Sequence, residues 1–107
     1  MSLALRRSDV FVEDFETAYC WYLEKAGEAV ARRFLESVWQ ALELLVLQPG
    51  VGAPRHFRAA ELQGLRSYRV KQPFQAHLIF YRYTEAELLL DRLMHGRRNL
   101  PQRLMER

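Results

Sequence analysis

Residues 65–95 read LRSYRVKQPFQAHLIFYRYTEAELLLDRLMH, and the hydrophobic period within them is two. Three runs carry it: Leu65 to Lys71, Ala76 to Tyr83, and Leu88 to His95. β-Branched, aromatic and other large apolar residues concentrate there, as they do on a pleated, half-buried surface. Thr84-Glu85-Ala86-Glu87 separates the last two runs at hairpin length, so those strands are expected to pair antiparallel. Gln72-Pro73-Phe74-Gln75 turns the first run into the second in the same way. Alternation puts Arg66, Tyr68 and Val70 on one face and Leu65, Ser67 and Arg69 on the other. Leu78, Phe80 and Arg82 likewise oppose Ile79, Tyr81 and Tyr83. Tyr68, Phe80 and Tyr81 are expected to pack the sheet against the helical hairpin, although aromatics interleaved with arginines can also stack nucleotides.

Upstream the period lengthens. Phe11, Phe15, Ala18 and Tyr22 fall at i, i+4, i+7 and i+11, one apolar stripe of a helix from about 9 to 26. Ser8 supplies its N-cap, and Asp9, Glu13 and Asp14 lie early in it, where negative charge suits the exposed amides. Gly27 stops it, and a second helical pattern resumes at Glu28, which makes a tight hairpin. In the second helix Ala31, Phe34, Val38, Ala41 and Leu45 form the stripe, widened by Leu35, Leu42 and Val46. Pro49-Gly50 ends it, and Pro49 to Pro54 is expected to be an irregular loop. Leu3, Leu5 and their neighbours form a short first strand ending at Arg7. Trp21 and Trp39 lie off the stripes, at the hairpin edge or against a partner. The expected architecture is α+β: an N-terminal strand and a helical hairpin packed on an antiparallel sheet of about four strands, in a single domain spanning residues 1–107. Phe11, Phe15, Phe34, Val38, Leu42 and Leu45 are the hairpin's contribution to the core.

A chain of 107 residues has room for one compact core and not for two. Half of it is hydrophobic and 27% charged, a globular rather than a disordered composition. The longest apolar run, Ala41 to Leu47, is interrupted by Glu43, so no transmembrane span and no membrane partner are expected. Nor do the first residues resemble an export signal, since Arg6 and Arg7 follow at once. The single cysteine, Cys20, cannot close an intrachain disulfide and suits a reducing cytoplasm; it is expected to be a small core-filling residue. Charge is lopsided. Residues 1–47 hold five bases and eight acids, net −3, whereas residues 48–107 hold eleven bases and five acids, net +6. The second half is therefore expected to face an acidic partner, a nucleic acid or an acidic protein segment.

Four stretches resemble the RelE/ParE superfamily of type II toxin–antitoxin proteins, in that family's order. Leu44 to Gly52 is similar to its helix end followed by P-x-x-G, and Leu65-Arg66-Ser67-Tyr68-Arg69-Val70 to its LRS-aromatic-x-V strand. Leu78-Ile79-Phe80-Tyr81-Arg82 is similar to its hydrophobic-x-[FY]-Y-R strand, and Arg92 to Asn99 to its ending R-V-L-H-G-x-R-D/N. The resemblance, closest to ParE-like members, implies a toxin of a plasmid or chromosomal stabilisation module, neutralised by a cognate antitoxin, as a homodimer or a hetero-oligomer with that antitoxin. ParE-type members inhibit DNA gyrase, and RelE-type members cleave messenger RNA on the ribosome. A degenerate toxin retained only as its antitoxin's regulatory partner is the third possibility.

The residues weigh these readings. Cleavage through a 2′-hydroxyl needs a base, cations for the phosphorane charge and an acid for the leaving oxygen. A ribonuclease reading would use Arg66, His95 and Arg98. However, the RelE pattern has lysines where this chain has Arg55, His56 and Arg58, and a C-terminal tyrosine where the tail after Gly96 has none. His95 is expected to be structural or to contact a partner. The expected target- or partner-binding residues are Arg66, Arg82, Arg92, Arg97, Arg98 and Arg103, the last three in a basic tail with an intermolecular role. His56 and His77 have no ligand-spaced partners, so no metal and no cofactor are expected. The main reading is a gyrase inhibitor that acts by binding, and the alternative is a ribosome-dependent endoribonuclease.

Overall fold

Ser8 is where the chain leaves the sheet. Strand β1, Ala4–Arg7, precedes it, and helix α1, Asp9–Ala26, follows. The structure is a computed structural model that describes residues 3–96. In it the Ser8 hydroxyl accepts the Phe11 amide hydrogen at 3.0 Å, satisfying one of the donors that every helix start leaves open. α1 ends at Gly27, whose φ of +93° suits a residue without Cβ and whose N–H bonds the Tyr22 carbonyl. Helix α2, Glu28–Leu47, starts at the next residue. The hairpin expected from the two stripes is present.

Beyond α2 the chain makes a 3-10 turn at Pro49–Val51, a two-residue strand β2 at Ala53–Pro54, and a second 3-10 turn at Ala60–Leu62. Strands β3, Arg66–Arg69, β4, His77–Tyr83, and β5, Glu87–His95, complete the fold. The sheet has five strands in the order β1-β5-β4-β3-β2. It is mixed: β1 runs parallel to β5, while the other neighbours are antiparallel. The α+β layout expected from the sequence holds, with two refinements. Parallel pairing needs a long crossover and leaves no turn signal, and β2 is too short for periodicity to mark. Part of the Pro49–Pro54 loop is thus regular.

Phe11, Phe34, Val38, Leu42 and Leu45 are buried against Val70, Ile79, Tyr81, Leu88, Leu90 and Leu93, and Phe15 stacks on Phe34 with ring centres 5.7 Å apart. Each such side chain contributes roughly 1.5–3 kcal/mol by leaving water. The opposite face of the sheet is also covered. Leu65, Leu78, Phe80 and Met94 pack with Leu62, Phe57 and Ala59 from the segment between β2 and β3. Phe80 therefore serves this second, smaller core rather than the helical one, and only Tyr68 and Tyr81 face the hairpin. Cys20 is exposed on α1, not a core residue; it sits two positions from both Ala18 and Tyr22, off the buried stripe.

A bulge in β5 sets which side chains reach each core. Phe80 pairs with Arg92, and Tyr81 with Leu90, so Asp91 is an extra residue. The reset lets Leu88, Leu90 and Leu93 all enter the helix-side core, while Met94 joins the other.

Tyr81 ties the end of α2 to the sheet. Fully buried, it donates its hydroxyl hydrogen to the Pro49 carbonyl at 2.6 Å and accepts the Gly52 amide hydrogen at 2.9 Å. A Cβ on Gly52 would lie 2.7 Å from the Tyr81 ring and 2.9 Å from the Ser67 carbonyl oxygen, so this position requires glycine for space. Tyr81→Phe should lower unfolding free energy by about 1–2 kcal/mol, since two polar groups lose a buried partner. Gly52→Ala should cost more, about 2–3 kcal/mol, through overpacking. Urea denaturation reads both, and a neutral Gly52→Ala would contradict the packing described.

Candidate functional site

β1 ends at Arg7, so it pairs with β5 only over Glu87 to Leu90. The rest of that edge is taken by α1. Ser8 Oγ donates to the Asp91 carbonyl at 2.9 Å, and the Asp14 carboxylate accepts the Leu93 amide hydrogen at 3.0 Å. The same carboxylate accepts two hydrogen bonds from Arg92, from Nε at 2.7 Å and from an Nη at 3.0 Å. Both partners are nearly buried, with 11% and 16% of their side chains exposed, so the pair is a paired-charge anchor of α1 on the sheet.

Beyond this anchor α1 and the last residues of β5 diverge around a groove of about 600 Å³. Asp14 and Arg92 form one end; Ala18, Trp21 and Tyr22 form the helix wall; His77, Leu93 and His95 form the sheet wall. Trp21 stands at the rim with 55% of its surface exposed. His77 is buried among aromatic rings, with Phe34 at 4.8 Å and Tyr22 at 5.7 Å between ring centres, and His95 lies edge-on to it at 5.0 Å. Tyr22 Oη and His77 Nε2 share a hydrogen bond of 2.9 Å. Burial, and to a lesser degree the neighbouring His95, lowers the His77 pKa to about 4, and burial raises that of Tyr22. At neutral pH both are uncharged. The groove is thus an apolar and aromatic recess with a neutral polar floor, suited to holding an apolar or aromatic side chain of a partner.

The residues singled out in the sequence are dispersed. Arg66, in β3, donates to the Gly50 and Gly52 carbonyls at 3.1 and 2.7 Å and lies over the Tyr83 ring. Arg82 pairs with Asp91 at 2.9 Å and reaches the Gln63 and Glu61 carbonyls. Arg92 is engaged by Asp14. His95 is exposed at the end of β5. Arg97, Arg98 and Arg103 lie outside the described residues. Arg66 and His95 are not brought together: Arg66 is level with Tyr81 and His95 with His77, four residues apart along β4 and on strands to either side of it. That separates their backbones by roughly 13 Å along the strand direction alone.

The sequence reading did not assign Asp14 or the Tyr22–His77 pair a role at this groove. Asp14 carried a signal, being a carboxylate at i+3 from Phe11 and i−4 from Ala18, beside the buried stripe, where a charge needs a partner. Tyr22 and His77 are 55 residues apart, and nothing local links them.

A helical hairpin over a mixed sheet whose first and last strands run parallel, with an aromatic recess beside the hairpin, defines a small α+β protein. A solved chain described as "Chromosomal ParDE TA system from P. aeruginosa" superimposes with a TM-score of 0.72 at 16% identity, covering 90% of this chain and 98% of that one. A search of curated protein sequences finds no match. The sequence pattern of the family described as "ParE toxin of type II toxin-antitoxin system, parDE" matches residues 5–100, and the chain belongs to that family.

His77 makes stability depend on pH. A histidine in the unfolded chain titrates near 6.5, whereas folded His77 does so at about 4. Between those values the unfolded chain binds the proton and the folded chain does not. Its contribution is therefore complete above about pH 6.5, declines toward pH 4, and falls no further below that. The expected decline is on the order of 1 kcal/mol per pH unit. Urea melts at several pH values should show it for the natural protein and a flatter profile for His77→Phe; equal slopes would assign the dependence to other groups.

Proposed function

We propose that this ParE-family protein is a cytoplasmic toxin that inhibits DNA gyrase by binding, without cleaving RNA, and that a cognate antitoxin holds it harmless. The observation that carries the reading is the dispersal of the ribonuclease candidates, since Arg66 and His95 lie at different levels and on different strands of the sheet. General acid–base catalysis needs its groups within hydrogen-bond reach of one reacting centre. His77, the other histidine nearby, is a poor base at neutral pH because its pKa is lowered to about 4 and its Nε2 is shared with Tyr22. Among the described residues no helix is long and apolar enough to cross a membrane.

The antitoxin is a segment of acidic, amphipathic chain that orders as it binds. Its apolar side chains have the groove at Trp21 and the exposed Leu35 and Trp39 on α2 as anchors. Its acids are drawn by the toxin's net charge of +3, while its seat is on and beside the hairpin. Buried aromatic anchors of this kind dominate many protein interfaces.

Purified toxin should inhibit supercoiling by gyrase and leave messenger RNA intact in programmed ribosomes, and His95→Ala should retain the gyrase inhibition. RNA cleavage that disappears in His95→Ala would reverse the assignment to an endoribonuclease. The product of the neighbouring gene should co-purify with the toxin and restore growth.

A further inference from the structure

The sheet ends in an open edge beyond β3, because β2 covers only Arg66 and Ser67. Along this edge and in the segment that leads to it lie Arg55, Arg58, Arg66, Arg69 and Lys71. Between Ala53 and Thr84 the one acidic residue is Glu61. None of these five cations forms an ion pair among the described residues. Three are instead steadied by neutral oxygens. Arg55 donates to Ser67 Oγ at 3.1 Å, Arg66 to the carbonyls of Gly50 and Gly52, and Arg69 to that of Gln75. Each bond orients a guanidinium without cancelling its charge, and leaves other N–H groups to donate to an anion.

We propose that this edge is a binding surface for the phosphate backbone of duplex DNA. The choice of partner rests on what the surface lacks. Large apolar side chains that are exposed lie in the helices, at Val51 and at Tyr83; among the described residues none lies between Ala53 and Lys71. A protein segment, which draws its affinity from buried apolar and aromatic anchors, finds none here and has them on the hairpin instead. An unpaired nucleic acid strand would need rings on which to stack its bases. Phe57 is half-buried in the smaller core with the Arg55 guanidinium 5.6 Å from its centre, Phe80 is buried, Tyr68 packs toward the hairpin, and Tyr83, the exposed ring beside these cations, already has the Arg66 guanidinium over it at 5.7 Å. What remains is charge. Arg69 and the Arg55 guanidinium held at Ser67 are anchored two residues apart on one strand face, about 7 Å, comparable to the spacing of successive phosphates. Binding through phosphates alone reads no sequence and tracks the backbone.

The inference goes beyond gyrase inhibition and is tested by binding, so it stands or fails whichever enzyme the toxin acts on. Full-length toxin is titrated into a labelled duplex of mixed sequence at several salt concentrations, with anisotropy as the readout. Arg69→Glu/Lys71→Glu should weaken binding about tenfold or more at low salt and reduce the salt slope by about two. Arg32→Glu/Arg33→Glu, the same change in net charge on the exposed face of α2, should leave both close to those of the natural protein. Thermal melts establish that each variant is folded, and Arg69→Gln/Lys71→Gln replaces the first pair should it unfold, with a smaller loss in the same direction expected. Equal weakening by the β3-edge and α2 variants, tighter binding to a single strand of equal length, or no salt-dependent binding would each overturn the proposal.

Discussion

Asp14 on the uncovered edge of β5 is the contact on which the arrangement of this molecule depends. A strand that is paired on one side only leaves amides and carbonyls that must find partners when a helix is laid across them. Here β1 stops after four residues, and the helix that follows supplies side chains in place of a strand: the Ser8 hydroxyl for the Asp91 carbonyl, the Asp14 carboxylate for the Leu93 amide. The same carboxylate neutralises Arg92, which the bulge at Asp91 has turned out of the regular alternation. Removing one member of so buried a pair leaves the other's desolvation unopposed, which is far costlier than the pair is stabilising. The angle of α1 follows from this anchor, and with it the place of α2, the Phe15–Phe34 stack and the recess between Trp21 and His95.

Local signals made the elements legible in the sequence and long-range ones were not. Ser8 and Gly27 marked both ends of α1, because caps are decided within a turn of the helix. The stripe through Phe11, Phe15 and Phe34 identified the core, because burial repeats with the helical period. The strand β1 was legible but its parallel partner was not, since no turn joins it to β5. Alternation read forward from Leu88 would put Arg92 with the core; the single inserted residue at Asp91 sends Leu93 there instead, and the sequence LLLDRLM shows no glycine or proline to mark it. Phe80 was misread for a related reason: the second face of the sheet is covered by the Phe57 to Leu62 segment, which has no period of its own.

The candidate site was less legible than the fold, because arginines announce charge and not its use. Arg92 is engaged in the anchor, Arg82 is balanced by Asp91, and Arg66 braces the turn after α2. The recess at His77 depends on a hydroxyl and an imidazole that meet only in the folded chain. Among its described residues this chain thus holds exposed apolar side chains on and beside the hairpin, and cations without an ion pair at the far edge of the sheet. The proposed antitoxin and the proposed duplex would use opposite sides of this division.

The most direct measurement of the central anchor is amide hydrogen exchange at Leu93. In the natural protein this amide should be protected to the same degree as that of Ile79 in the middle of the sheet, and Asp14→Ala should speed exchange at Leu93 by a larger factor than at Ile79. Exchange at Leu93 that is fast in the natural protein, or unchanged when Asp14 is removed, would contradict the claim that α1 completes the edge of β5.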